Sequence, residues 1–115
     1  MISDNVYFGK GKIKGVVAIS RKYWDEGNLS SNEDKIIFNG ERGSTEILIT
    51  EIKSVELVSH RTFKVIRITK HNDEFYHISS VPQMSRYDPD FSGISQDVKR
   101  QNKALYNAID RFLNL

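Results

Sequence analysis

Between residues 35 and 80 the chain never runs far without a strand-length apolar burst, and no burst leads into helical spacing. KIIFN (35–39) is closed by Gly40 and Gly43, and TEILI (45–49) follows. KSVELVS (53–59) comes after a kink at Thr50-Glu51-Ile52. TFKVIRITK (62–70) sets Phe63, Val65 and Ile68 against Lys64, Arg67 and Lys70, and EFYHISS (74–80) returns. Alternation with period two marks strands with one buried face. Upstream, KIKGVVAIS (12–20) alternates in part, with Ile13, Val17 and Ile19 opposite Lys12 and Lys14, and NLSSNE (28–33) is a further strand. Seven short strands so closely spaced argue an antiparallel barrel or sandwich.

The turns follow from the same text. MISDNVYFGKGK (1–12) reads as a solvated lead-in and RKYWDEG (21–27) as the loop after the first strand. Asn72-Asp73 reads as a two-residue turn, which places His71 beside Glu74 and Lys70 beside Phe75. Both prolines lie in a connector at 81–94, and beyond it the period changes. Val98, Leu105, Ala108, Ile109, Phe112 and Leu113 form one stripe of a helix over 95–114. Ser95 is its expected N-cap, and Lys99, Arg100, Lys103 and Arg111 fall on the wet side. The stripe needs an apolar surface, and the barrel supplies it. Residues 1–115 are expected to make a single domain with one modest core.

Composition narrows the chemistry. The chain has no cysteine, so disulfides, thiolate metal sites and cysteine nucleophiles are excluded. His60, His71 and His77 offer no convergent ligand spacing, so no metal is expected. No Gly-x-Ser-x-Gly elbow is present, and GKGK (9–12) lacks the spacing and following helix of a phosphate-binding loop. The expectation is a protein without enzymatic activity or cofactor. The N-terminus has no signal-peptide pattern, which points to the cytoplasm, with a peripheral membrane position as the alternative. Net charge is +2 but uneven: residues 1–24 carry +4, residues 25–56 carry −5 and residues 57–86 carry +3. That is not the uniform basic character of a nucleic-acid binder.

Seven strands followed by one amphipathic helix resemble the pleckstrin-homology superfold. The local text is similar to its GRAM-like branch. GNLSSNEDKIIFNG (27–40) resembles that branch's glycine, strand, short turn and apolar-apolar-Phe strand. ILITEIKSVEL (47–57) looks like its next strand, polar turn and Val-containing strand, and FKVIRITKHNDEFYHIS (63–79) is similar to its final hairpin. Ser31-Asn32 and Lys35 depart from the family's Leu-Thr pair and arginine. The implied fold is a seven-stranded antiparallel barrel or sandwich capped by one C-terminal helix. A five-stranded oligonucleotide-binding barrel is the runner-up.

The resemblance implies a binding module and places candidate residues at the barrel's open end. Loops 21–26, 40–44 and 71–73 would form that rim, with Arg21, Lys22 and Arg42 beside Lys70. Asp25, Glu26, Glu41 and Asp73 stand against them, a poor trap for a polyanionic headgroup, since each surface base adds only about 1 kcal/mol. Lys12 and Lys14, with Lys10, make a separate basic strip that either touches a membrane or protects an edge strand. Tyr23 and Trp24 are an aromatic pair in a loop. They either anchor a partner or, for Trp24, fold back to plug one end of the barrel. A protein or peptide partner therefore fits better than an anionic phospholipid. Single-stranded nucleic acid, on Phe63, Lys64, Arg67, Phe75 and Tyr76, ranks last.

Overall fold

The computed structural model describes residues 2–11, 24–60, 63–80 and 91–114. Among these residues are seven strands: β1 (Ser3–Lys10), β2 (Asp25–Asn32), β3 (Lys35–Gly40), β4 (Gly43–Leu48), β5 (Ile52–His60), β6 (Phe63–Lys70) and β7 (Phe75–Ser80). A short 3-10 turn, Ile49–Glu51, joins β4 to β5 at the kink read from Thr50-Glu51-Ile52, and helix α1 (Phe91–Leu113) closes the chain. All pairings are antiparallel, in the order β4-β3-β2-β1-β7-β6-β5. The fold class is the implied one: seven antiparallel strands in one curled sheet, followed by a C-terminal helix.

One apolar cluster shows how the sheet curls. Val6 and Phe8 of β1, Leu29 of β2, Ile36 and Phe38 of β3, and Ile47 of β4 are buried together with Ile66, Ile68, Tyr76 and Ile78 of β6 and β7. Strands at opposite ends of the order share one core only if the sheet wraps around it. Phe8 sits at the centre, stacked on Phe38 at 4.5 Å and on Tyr76 at 5.3 Å between ring centroids. A second, smaller cluster lies on the other face, where Trp24 and Val65 pack with Tyr7 and Val58.

Helix α1 packs on β5, β6 and β7. Leu105 and Ile109 are buried, Phe112 and Leu113 are half-buried, and Lys99, Arg100, Lys103 and Arg111 are exposed, as the stripe predicts. Asn102 is a polar side chain in that interface and is fully buried. Its Oδ1 accepts from Ser80 N–H at 2.7 Å, and its Nδ2 donates to the Lys64 carbonyl at 2.7 Å and to Ser79 Oγ at 3.1 Å. One side chain thus ties the helix to β6 and β7. Ile109→Ala is expected to cost about 2–5 kcal/mol, as for a fully buried aliphatic. The half-buried Phe112→Ala should cost clearly less than the roughly 3–5 kcal/mol of a buried aromatic. Paired thermal melts measure both, and the reverse order would mean that the helix sits in a different rotation.

Three expectations need correction. The first strand is Ser3–Lys10, the segment read as a lead-in, and residues 12–20 lie outside the described residues. β1 is buried on both faces, Val6 and Phe8 inward and Tyr7 against Trp24, so it lacks a clean alternation. The β6–β7 loop has three residues, not two. Lys70 N–H donates to the Glu74 carbonyl at 2.8 Å and Thr69 pairs with Phe75, so Lys70 stands opposite Glu74. Asp73 takes φ 70°, the left-handed position such a three-residue loop requires. Finally, α1 starts at Phe91, so Ser95 lies inside the helix and does not cap it. Gly93, read as part of the connector, costs a helix only about 1 kcal/mol and is carried within it.

Candidate functional site

Two surfaces of the sheet hold the features relevant to binding: a basin at the ends of β1–β4 and the outer strand β5. At the basin, the β3–β4 turn Glu41-Arg42 is held by Asp25. The Asp25 carboxylate accepts from Arg42 N–H at 3.0 Å through one oxygen and from Glu26 N–H at 2.9 Å through the other. Glycine is needed around it. A Cβ on Gly40 would overlap the Asp25 carboxylate and the Phe38 ring, and Gly43 adopts φ 145°, which side chains rarely tolerate. The resulting basin is about 300 Å³, with Lys10, Asp25, Arg42, Ser44 and Thr45 around a floor of Phe8 and Phe38.

The structure divides the rim that the sequence suggested. Residues 40–44 meet the start of β2, as above. Residues 71–73 are tied instead to the 3-10 turn, where His71 N–H donates to the Glu51 carbonyl at 2.9 Å. Lys70 is drawn into the same turn, with its Nζ 2.9 Å from Glu51 and 3.6 Å from Glu74. The hydrogen bond to Glu51 raises its pKa above the ordinary lysine value, against the lowering effect of burial. The bond's contribution is therefore complete at neutral pH and is lost only as pH rises through that raised value. Lys70 is thus engaged by two carboxylates.

The other predicted site residues fall as follows. Arg42 is exposed on its turn. Arg21, Lys22, Tyr23, Lys12 and Lys14 lie outside the described residues. Of the two readings of Trp24, the structure has the folded-back one: its side chain is 2% exposed and packs edge-on to Tyr7. Lys10 is also corrected, because β1 pairs with β2 on one side and β7 on the other and is no edge strand. The face read for nucleic acid is not a stacking platform, since Tyr76 is buried beneath Phe8.

His77 is buried, and its role was not visible in the sequence. Arg67 Nε–H donates to His77 Nε2 at 3.0 Å, and Nδ1 lies 2.9 Å from the Gly11 carbonyl. A guanidinium can only donate, so Nε2 is the acceptor and Nδ1 carries the proton toward Gly11. The imidazole therefore fastens the end of β1 to the β6–β7 pair and is not arranged as a ligand. Among the described residues no three His, Asp or Glu side chains gather to hold a metal ion.

The edges are β4 and β5. Among the described residues, β5 pairs with β6 alone, and its outer side has no strand partner. It is the longest strand among the described residues, nine residues, with Lys53, Glu56 and Ser59 exposed and Val55, Leu57 and Val58 half-buried. Its only irregularity is a register shift between Ile52 and Ser54.

No protein-family model matches the chain, and no curated protein sequence does. Among solved structures, the pleckstrin homology (PH) domain of USP37 is similar to it. That likeness covers 91% of this chain and 94% of the other, at 15% identity and a TM-score of 0.39. The fold assignment rests on the strand order and pairing given above. Among the described residues, no helix is long and apolar enough to cross a membrane.

Proposed function

We propose that the chain is a non-enzymatic binding module that takes an extended protein segment as an added strand on β5. The observation that carries this reading is that, among the described residues, β5 has no strand partner on its outer side. An edge strand presents a row of backbone donors and acceptors, and proteins usually blunt such rows with charge, proline or bulges. From Val55 to Ser59, β5 has none of these beyond Glu56. An incoming strand would pair with that backbone and set alternate side chains beside Val55 and Leu57, next to helix α1. The GRAM-like text at 27–40 and 47–57 falls on β2–β3 and on β4–β5, the second of which ends in this edge. A cytoplasmic location, peripheral to a membrane or not, is consistent with the proposal.

Binding of anionic lipid at the basin is the competing reading. It is disfavoured by the Asp25 carboxylate within the basin, by Glu26 and Glu41 beside it, and by the engagement of Lys70. The test is a selection of random peptides displayed on phage, followed by backbone-amide NMR of the chain with a selected peptide. Shifts centred on residues 55–59 are expected. Shifts confined to residues 8–10 and 41–45, or tight and steeply salt-dependent binding to phosphatidylserine vesicles, would replace this reading with the lipid one.

A further inference from the structure

We propose that the strand added on β5 carries a lysine or arginine between two apolar residues, with the cation set beside Glu56. This inference rests on the β5 reading and adds to it the chemistry of the partner.

The hydrogen-bond pattern decides which groups of β5 meet the added strand. Lys70 N–H donates to the Glu74 carbonyl, so at Lys70 the backbone of β6 faces β7. In an antiparallel ladder, successive residues turn their N–H and C=O groups to opposite sides. Arg67 and Val65 therefore face β5, where they pair with Glu56 and Val58. The Lys64 carbonyl faces the other way and accepts from Asn102, as this alternation requires. Val55, Leu57 and Ser59 must then turn their amide and carbonyl groups outward. Among the described residues, no hydrogen bond reaches those groups.

The two faces of β5 then define the partner. Val55 and Leu57 are half-buried against the main core cluster, to which Tyr106, Phe112 and Leu113 of α1 also pack. Partner residues opposite Val55 and Leu57 lie on that same face, where apolar side chains fit. The residue between them points to the other face, beside Glu56. Glu56 is exposed and is the single charge from Val55 to Ser59. Its cross-strand neighbour Arg67 turns away from it: the Arg67 Nε–H donates to His77 Nε2 at 3.0 Å, and its guanidinium lies over the Phe75 ring at 5.4 Å. Among the described residues, the polar partner left to the Glu56 carboxylate is Ser54 Oγ at 3.5 Å, long for a hydrogen bond. Opposite charges facing each other across a ladder attract and like charges repel, so this position selects a cation and rejects an acid.

The test runs the phage selection side by side on the parent chain and on Glu56→Lys, an exposed position whose reversal should leave far-ultraviolet circular dichroism unchanged. Parent-selected peptides are expected to hold a basic residue between two apolar ones, and Glu56→Lys should select an acidic residue at that place. Exchanging the selected peptides between the two chains should weaken Kd about fivefold in each direction. Amide hydrogen exchange of each complex reports the pairing itself: protection should rise at Val55, Leu57 and Ser59, and little at Glu56 and Val58, which already pair with β6. Rising protection at the alternate residues with the same central residue in both pools would overturn the role of Glu56 and leave the β5 reading standing. Recovery of no peptide, or protection confined to other strands, would overturn both.

Discussion

Replacing Trp24 with alanine is expected to destabilise the fold by about 3–5 kcal/mol, the cost of emptying a buried aromatic position. The indole is 2% exposed and packs with Tyr7, Val58 and Val65 on the face of the sheet opposite the main core. Urea unfolding followed by far-ultraviolet circular dichroism measures the loss directly. Trp24→Phe is the informative companion. The indole Nε1–H is buried without an acceptor, and an orphaned buried donor costs about 1–3 kcal/mol. Phenylalanine removes that donor and keeps most of the packing, so it should fall within about 1.5 kcal/mol of the parent. An alanine variant as stable as the parent would return Trp24 to the surface and restore it as a partner anchor.

Asn102→Ala is expected to cost about 2–4 kcal/mol, because the Ser80 N–H and the Lys64 carbonyl lose their partner together. Asn102→Leu sharpens the test. Leucine extends the apolar stripe and would look favourable on a helical wheel, yet it leaves the same two backbone groups unsatisfied. Both variants should melt below the parent. A leucine variant that melts higher would mean that the amide is a tolerated polar insertion, not the tie between helix and sheet.

What the sequence disclosed follows from how each residue is surrounded. Strands β3 to β7 were legible because each has a run of apolar or alternating residues bounded by polar turns, as in Lys35–Gly40 and Phe63–Lys70. β1 was not, because Ser3-Asp4-Asn5 is polar where the strand outruns its neighbour and Val6-Tyr7-Phe8 is buried on both faces. KIKGVVAIS (12–20), which lies outside the described residues, alternates more cleanly and was read as the first strand. Asn102 sits among the apolar stripe, four positions after Val98 and three before Leu105, and that spacing was the available signal for its burial. Trp24 is flanked by charge in RKYWDEG, so its local text describes a surface even though its side chain is core. The role of Asp25 depends on Arg42, a contact 17 residues away, and no local pattern reports it. That β5 has no outer strand partner among the described residues is a property of strand order, which the alternation of a single strand does not encode.

The central position of β1 also sets the order in which the chain can assemble. β1 pairs with β2, β2 with β3 and β3 with β4, so these four strands can form as a meander early in synthesis. The other side of β1 pairs only with β7, at residues 76–80, and helix α1 has nothing to bind until β6 and β7 are in place. Pairings so distant in sequence require a large loop to close before any contact compensates it, which slows folding relative to a helical chain of this size. During that interval β1 presents a bare edge with Tyr7 and Phe8 exposed on its two faces, the kind of surface on which nascent chains associate. A nascent chain stalled before Phe75 would therefore hold the β1–β4 meander and the β5–β6 hairpin with the β1 edge still bare, and the appearance of β7 is the event that joins the two.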